Sequence, residues 1–383
     1  MKEFILKEIV TEDIPSELKK IGFDKSYRTQ ASQKFKYKNI KIYSLTPAQA
    51  NILKQTALSV GADCATHRET ITANIETSDC ILGGSISQLK KISQKLTSQP
   101  FGLKLLGEKI SGMAEFSKSA KTKIVGILNL TPDSFSDGGE FLDYDKAKEH
   151  FKYMADSGAD IIDIGAESTK PYSTPVSAQA QISRLLPVLE FAKSVNLQIP
   201  ISIDTRSALV AQECIKAGAS IINDVSGFDF DKNMVEIIAN CGVKVIIQHS
   251  KGTPENMQEN PVYESLMDEI YLKLKEKIDY AISKGIAREN IILDPGIGFG
   301  KTREDNFEII KRIEEFYGLG CEVMLGLSRK SLLNMPDADN DMKDIFSVAL
   351  NTLAIERKVD YIRVHNVPLH KTLVTLTGGV DYL

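Results

Sequence analysis

The chain has 383 residues, 47 lysines and arginines against 51 aspartates and glutamates, a formal net charge of −4 and a pI near 5.9. That balance argues against a general binder of nucleic acid or of anionic membrane surfaces, so an anionic ligand would need a local basic cluster. The opening Met1-Lys2-Glu3-Phe4-Ile5-Leu6-Lys7-Glu8 is broken by charge before an apolar leader develops, and no later stretch reaches membrane-spanning length; a soluble, cytoplasmic protein is expected.

The length exceeds that of one ordinary domain, and the surplus lies at the front. Residues 1–118 carry strand-like runs at 3–10 and 40–45, a helix opened by Thr46 and Pro47, and another opened by Ser85 with Gln88 at capping-box spacing. A small α/β extension without a catalytic constellation is expected there, joined through the polar 116–122 stretch to a second domain, 119–383. The five cysteines, Cys64, Cys80, Cys214, Cys241 and Cys321, form no Cys-x-x-Cys pair and read as buried, reduced thiols with no support for a zinc cluster. His67, His150 and His370 stand alone as ordinary imidazoles.

From residue 124 onward an apolar run followed by an amphipathic helix recurs eight times. The strands fall at 124–129, 160–165, 200–204, 220–224, 243–249, 290–294, 321–326 and 360–365, with helices such as 143–157, 177–195, 207–217, 263–284, 303–316 and 342–357. Runs such as Ile161-Ile162-Asp163-Ile164 are nearly unbroken in hydrophobicity, as parallel strands covered on both faces require. Eight such units in roughly 240 residues fit a closed (β/α)8 TIM barrel, with a doubly wound open sheet as the alternative.

Such barrels place chemistry at the carboxyl ends of their strands. Here each strand ends in functional groups: Asn129, Glu167-Ser168-Thr169, Asp204-Thr205-Arg206, Asn223-Asp224, His249-Ser250, Asp294, Ser328-Arg329-Lys330 and Arg363-Val364-His365. Helix capping accounts for any one of these, but less readily for eight in succession. Asp204, Asn223 and Asp294 offer two carboxylates and an amide to the edge of a flat heterocycle with adjacent N–H donors. Ser328-Arg329-Lys330-Ser331 with Arg363 and His365 suggests an anion site, Ser331 adding a helix N-terminus. The 294–302 segment looks like a P-loop, but Pro295 stands at the first required glycine; a tight turn bringing Phe299 and Lys301 over the mouth is expected instead.

Taken in order, Gly126-Ile127-Leu128-Asn129, Thr131-Pro132-Asp133-Ser134-Phe135-Ser136-Asp137-Gly138-Gly139, the 163–171 segment, Ile203-Asp204-Thr205, Ile222-Asn223-Asp224, 294–301, Ser328-Arg329-Lys330-Ser331 and Arg363-Val364-His365 closely resemble the dihydropteroate synthase family over residues 120–383. The resemblance implies condensation of (7,8-dihydropterin-6-yl)methyl diphosphate with 4-aminobenzoate in folate biosynthesis. It implies that Asp204, Asn223, Asp294 and Lys330 hold the pterin, while Asn129, Thr169, Arg363 and His365 handle the diphosphate, with Mg2+ on Asn129. Phe135 and Asp137 would lie in a first loop that closes over the aminobenzoate, and Ser168, Phe299 and Ser331 near that second substrate. Asp137 and Asp204 would stabilise a positive pterin intermediate, and Lys330, Arg363 and His365 the departing diphosphate. A homodimer and competition by sulfonamides are also implied. Ala166, Lys170, Tyr172-Ser173 and Gln248-His249-Ser250 depart from the usual family pattern, which bears on the aminobenzoate contacts and pterin packing. The rival readings are another pterin-barrel enzyme, such as a methyltetrahydrofolate methyltransferase, and a noncatalytic pterin-binding protein.

Overall fold

The computed structural model describes residues 6–7, 9, 14–116, 121–131, 144–167, 175–252 and 261–380. The chain divides into two compact units, 1–118 and 119–383. Among the described residues, no helix is long and apolar enough to cross a membrane.

The first unit contains two short helices, α1 (Ile14–Lys20) and α2 (Arg28–Ser32), and an antiparallel sheet in the order β1 (Tyr37–Leu45), β3 (Ser78–Ser85), β2 (Asp63–Thr66). Its larger core joins the sheet to α3 (Pro47–Leu58), α4 (Ile86–Leu96) and α5 (Leu103–Glu115) through Leu53, Leu82, Leu89, Ile92 and Ile110. The expected capping box at Ser85 forms, and the expected N-cap Thr46 forms one as well: Gln88 and Gln49 reach back to the N–H groups of Ser85 and Thr46, whose hydroxyls accept from the third residue of each helix. Strand β1 begins three residues earlier than its apolar run suggests, because Tyr37, Lys38 and Asn39 pair with Ser85, Gly84 and Gly83. The 3–10 run lies largely outside the described residues.

In the second unit, β4 (Lys123–Asn129), β5 (Ile161–Gly165), β6 (Ile201–Asp204), β7 (Ile221–Asp224), β8 (Lys244–Gln248), β9 (Ile291–Asp294), β10 (Glu322–Leu325) and β11 (Tyr361–Val364) close into a parallel barrel. Around it run α6 (Tyr144–Asp156), α7 (Ala178–Ser194), α8 (Ala208–Ala217), α9 (Met234–Cys241), α10 (Leu266–Ser283), α11 (Arg303–Lys311), α12 (Asn340–Glu356) and α13 (Val367–Val380). The expected helix at 303–316 is shorter, giving way to a 3-10 segment at Ile313–Leu319. Outward-facing strand residues such as Leu128, Ile164, Ile203, Ile222 and Ile247 pack with these helices into one continuous apolar layer. All five cysteines are free; Cys64, Cys80 and Cys214 are buried, whereas Cys241, at the last position of α9, is exposed, contrary to the sequence expectation.

The barrel interior positions the site. Val125, Ile161, Ile221, Ile246, Ile292, Met324 and Tyr361, one from each strand except β6, form an apolar cluster of their own. Ser202, buried and paired in register with Ile221, supplies the β6 member. Side chains alternate along a strand, so the same inward face returns two residues later. There it presents Ile127, Asp163, Asp204, Asn223, Gln248, Asp294, Gly326 and Arg363. Within one repeat the apolar plug gives way to a polar layer at the carboxyl ends of the strands.

Candidate active site

Arg363 is the centre of that layer. Its Nε donates to Asp163 Oδ2 at 2.6 Å and a terminal nitrogen donates to Asp204 Oδ2 at 2.7 Å. Asn223 Nδ2 donates to the same Asp163 oxygen at 3.0 Å. A guanidinium suits this position because its planar fork reaches two carboxylates at once. Burial pushes the Asp204 carboxyl up, to about 7; the Arg363 charge pulls it back and the nearby Asp163 adds to the rise. Burial works against charge on Arg363 as well, but Asp163 and Asp204 more than compensate and hold it firmly protonated.

Asp294 faces the opposite side of the layer, its Oδ1 accepting the Gly296 N–H at 2.7 Å. Its carboxyl is raised by burial, against the opposing charge of Lys330. Burial brings Lys330 down to about 8, resisted chiefly by Asp294. The Lys330 ammonium donates to Ile297 O at 2.7 Å and stands 4.6 Å from the centre of the Phe299 ring. Asn129 joins from β4: a Cβ placed on Gly165 would lie 3.6 Å from Asn129 Oδ1 and 3.4 Å from Asp204 Cβ. At His365, Ser328 Oγ accepts the backbone N–H at 3.3 Å and lies 3.0 Å from Nδ1.

Asp163 Oδ1 and Asn223 Oδ1, both buried, have no hydrogen-bond partner, and neither does Ser202 Oγ one layer below. Buried acceptors without donors are costly, so the first two define a ligand edge rich in N–H groups. Gly326 leaves the Asp294 side of the layer open. A methyl there would meet Arg363 Cβ at 3.6 Å and Asp294 Oδ2 at 3.7 Å, ordinary contacts that leave the fold intact while covering the carboxylate. Gly326→Ala is therefore expected to unfold at the wild-type urea concentration and to bind the pterin that the sequence resemblance implies at least about tenfold more weakly, the worth of one obstructed hydrogen bond to a charged group. Undiminished pterin affinity in a titration would contradict this placement.

Several expectations are corrected. Lys301 does not hang over the mouth; it is buried, its ammonium 3.0 Å from His249 Nδ1 and donating to Phe299 O at 2.9 Å. Burial and the Lys301 charge push His249 down to about 2, so the ring is neutral and Nδ1 accepts from the ammonium. The glycines of the P-loop lookalike serve loop packing. A Cβ on Gly296 would lie 1.9 Å from His249 O and one on Gly300 2.2 Å from Lys251 O, so the β9 loop rests directly on backbone following β8. Ser331 opens only a single 3-10 turn, Ser331–Leu333, and is exposed; the next long helix begins at Asn340, so no helix N-terminus forms at Ser331. Arg329 turns away from the mouth into a two-point bond with Asp344. Phe135, Asp137, Ser168 and Thr169 lie outside the described residues. The described residues flanking the last two are tied: Glu167 Oε1 accepts the Val176 N–H at 3.1 Å and forms an ion pair with Arg206 at 3.1 Å. Asp163 and Gly326 were not anticipated as site residues.

Residues 125–365 match the family profile described as pterin binding enzyme. The dihydropteroate synthase of Clostridium beijerinckii is 44% identical over 260 residues, covering 67% of this chain and 93% of its own length. The bifunctional dihydropteroate synthase/dihydropteroate reductase of Helicobacter pylori is 34% identical over 381 residues, 98% of this chain and 99% of that protein. A probable bifunctional folylpolyglutamate synthase/dihydropteroate synthase of Haloferax volcanii is 35% identical over 344 residues, this chain spanning 40% of its length. The crystal structure of Yersinia pestis dihydropteroate synthase with a sulfonamide drug complex matches with a TM-score of 0.65 and 34% identity, over 69% of this chain and 95% of that one. The chain belongs to the pterin-binding enzymes, the class that its barrel and polar layer define. Its family within that class is dihydropteroate synthase, a transferase family.

Proposed function

We propose that the barrel joins (7,8-dihydropterin-6-yl)methyl diphosphate to 4-aminobenzoate, giving 7,8-dihydropteroate and diphosphate. The observation that carries this reading is the polar layer: partnerless acceptors on Asp163 and Asn223, with Asp294 and Lys330 opposite, beneath Asn129 and beside His365. An edge of adjacent N–H donors on a flat ring satisfies those acceptors, and the charges of Lys330 and Arg363 would favour an anionic leaving group nearby.

The bond from the methylene carbon to the diphosphate oxygen breaks ahead of attack, its electron pair leaving with the diphosphate. The positive charge spreads into the pterin ring, where the Asp204 carboxylate stabilises it. The arylamine nitrogen then bonds to the methylene carbon and gives up one proton to solvent or to the departing diphosphate. A weakly basic amine needs orientation more than a strong base, so no histidine base is assigned. Because the Arg363 fork is engaged with Asp163 and Asp204, its contribution to the diphosphate is charge at a distance, while His365 offers an N–H.

Mg2+ fits this site as a companion of the diphosphate. Among the described residues no group of three or more histidines, cysteines, aspartates or glutamates is arranged to hold a metal. A single hard oxygen, Asn129 Oδ1, suits an ion that retains water and completes its shell with phosphate oxygens. When bound, it would neutralise charge growing on the leaving group. Phe135, Asp137, Ser168, Phe299 and Ser331 are proposed on the family resemblance to serve the aminobenzoate side and the closing of the site, and Thr169 to serve the diphosphate.

The test supplies the pterin diphosphate, Mg2+ and 4-aminobenzoate and follows diphosphate release together with dihydropteroate formation. Product that requires aminobenzoate supports the reading; diphosphate release without it, or no turnover, overturns it. The pH profile adds an independent check. The Asp204 charge is lost below about 7 and the Lys330 charge above about 8, so kcat/KM for the pterin diphosphate should trace a narrow bell with limbs near those values. A flat profile from about pH 6 to 9 would contradict the assignment of both groups.

The Helicobacter relative is matched through residues 1–118 as well as through the barrel. We propose on that basis that the chain shares the second activity in that protein's name, reduction of dihydropteroate, which adds a hydride and a proton to the pterin ring. Oxidation of a nicotinamide or reduced-flavin donor that depends on added dihydropteroate supports this, and its absence with both donors excludes it.

A further inference from the structure

We propose that Asp344, which belongs to none of the recognised motifs, is a positioning residue for Lys330 and His365; the proposal rests on the reaction given above. Asp344 lies in the second turn of α12 and is 1% exposed. Its carboxylate accepts two bonds from Arg329, from Nε at 2.9 Å and a terminal nitrogen at 2.8 Å, and a third from Asn366 Nδ2 at 3.4 Å. Arg329 immediately precedes Lys330, and Asn366 immediately follows His365. One buried carboxylate therefore restrains the backbone neighbours of two groups carried on different strand ends.

The need for such a restraint is written in the backbone. Arg329 has φ +56°, in the left-handed region that a non-glycine residue holds only where its surroundings enforce it. The ion pair fixes the side chain of this strained residue. The following residue then brings its ammonium to Ile297 O at 2.7 Å and to within 4.6 Å of the Phe299 ring centre. On the other arm, Asn366 Oδ1 accepts the Leu369 N–H at 3.1 Å, anchoring the segment to the start of α13. Ser328 Oγ bonds both the backbone N–H and Nδ1 of His365. Ser328, Arg329, Asp344, Asn366 and His365 thus close a ring of contacts linking the ends of β10 and β11. Burial opposes charge on Asp344, but the Arg329 bonds and charge outweigh it and hold the carboxyl below its ordinary range, so the link stays ionic near neutrality.

A stabilising pair and a positioning pair respond differently to removal of both partners. Asp344→Asn leaves Arg329 without its counter-charge, whereas Asp344→Leu combined with Arg329→Met removes the charges together and relieves the electrostatic penalty. Both are assayed for thermal midpoint and for kcat/KM with the pterin diphosphate, alongside the wild type. The expected result is a midpoint that recovers in the double variant while kcat/KM stays about 10- to 100-fold down in both, as misplacement of reacting groups by about an ångström produces. Asp344→Glu should restore part of the rate. Recovery of wild-type kcat/KM together with the midpoint overturns the proposal. If the Asp344 variants do not fold, Arg329→Lys, which keeps the charge but not the fork, takes their place; a loss of about tenfold or more supports the proposal and an unchanged rate overturns it. A wild-type protein that forms no dihydropteroate would sink the reaction, a failure distinct from this one.

Discussion

Arg363→Met is expected to cost about 3–5 kcal/mol of folding stability, because it strips the cation from two buried carboxylates at once. Asp163 and Asp204 each rely on one nitrogen of the guanidinium, and both lie inside the barrel. Without Arg363, the Asp204 carboxyl, already raised by burial, rises further and is held protonated to higher pH. A carboxyl whose folded pKa lies above its unfolded value favours the native state at acid pH and penalises it as pH rises. Stability should therefore fall in parallel in the two proteins as pH rises to about 7 and continue to fall only in the variant above that, measured as the urea midpoint from acid to alkaline pH. Turnover should fall about a thousandfold or more, since Asp204 loses its charge beside the pterin. Pterins with and without phosphate should both bind more weakly, because the guanidinium organises the ring edge as well as the anion side. Arg363→Lys should rescue charge but not geometry. Wild-type stability in Arg363→Met would mean that the two carboxylates are satisfied by other groups.

Asp294→Asn is expected to fold normally and to bind pterins about a hundredfold or more weakly. The amide oxygen can still accept the Gly296 N–H that Asp294 Oδ1 accepts at 2.7 Å, so the β9 turn survives. What is lost is a charged acceptor for adjacent ligand N–H groups, two bonds worth about 1.5–3 kcal/mol each. Lys330 also loses its strongest compensating charge, so its alkaline limb should move below the value near 8 found beside Asp294. Calorimetric titration with a pterin checks the affinity and the pH profile checks the limb. Tight binding with an unmoved limb would remove Asp294 from the ligand edge.

The barrel was legible because its strands are apolar on both faces and end in polar residues; each predicted strand overlaps an observed one, with ends displaced by one residue. Three elements of the first unit left weaker signals. Helix α5 starts after Gly102, at φ +74° with no side-chain cap, so nothing in its first residues announces it. Strand β3 contains Gly83 and Gly84, which lower strand propensity; at Gly83 the absent side chain leaves room for the Tyr37 hydroxyl. Strand β2 has only four residues, Asp63–Thr66. Within the site, residues at strand tips were readable because they break an apolar run. Asp163 lies inside a strand, and only the two-residue alternation across paired strands puts it level with Asn223, Asp294 and Arg363. A carboxylate in the middle of an otherwise apolar buried strand was the available signal. Asp344 had none, since its link to Arg329 spans 15 positions and depends on how α12 docks.

The central claim is that the polar layer at the carboxyl ends of the barrel strands seats the edge of a pterin. Its most direct test is a crystal structure of the protein soaked with 6-hydroxymethylpterin monophosphate. The ring edge is predicted to lie within hydrogen-bond distance of Asp163, Asn223 and Asp294, with the phosphate turned toward Asn129 and His365. Density for the ligand elsewhere, with Asp163 Oδ1 and Asn223 Oδ1 still lacking ligand donors, would contradict it.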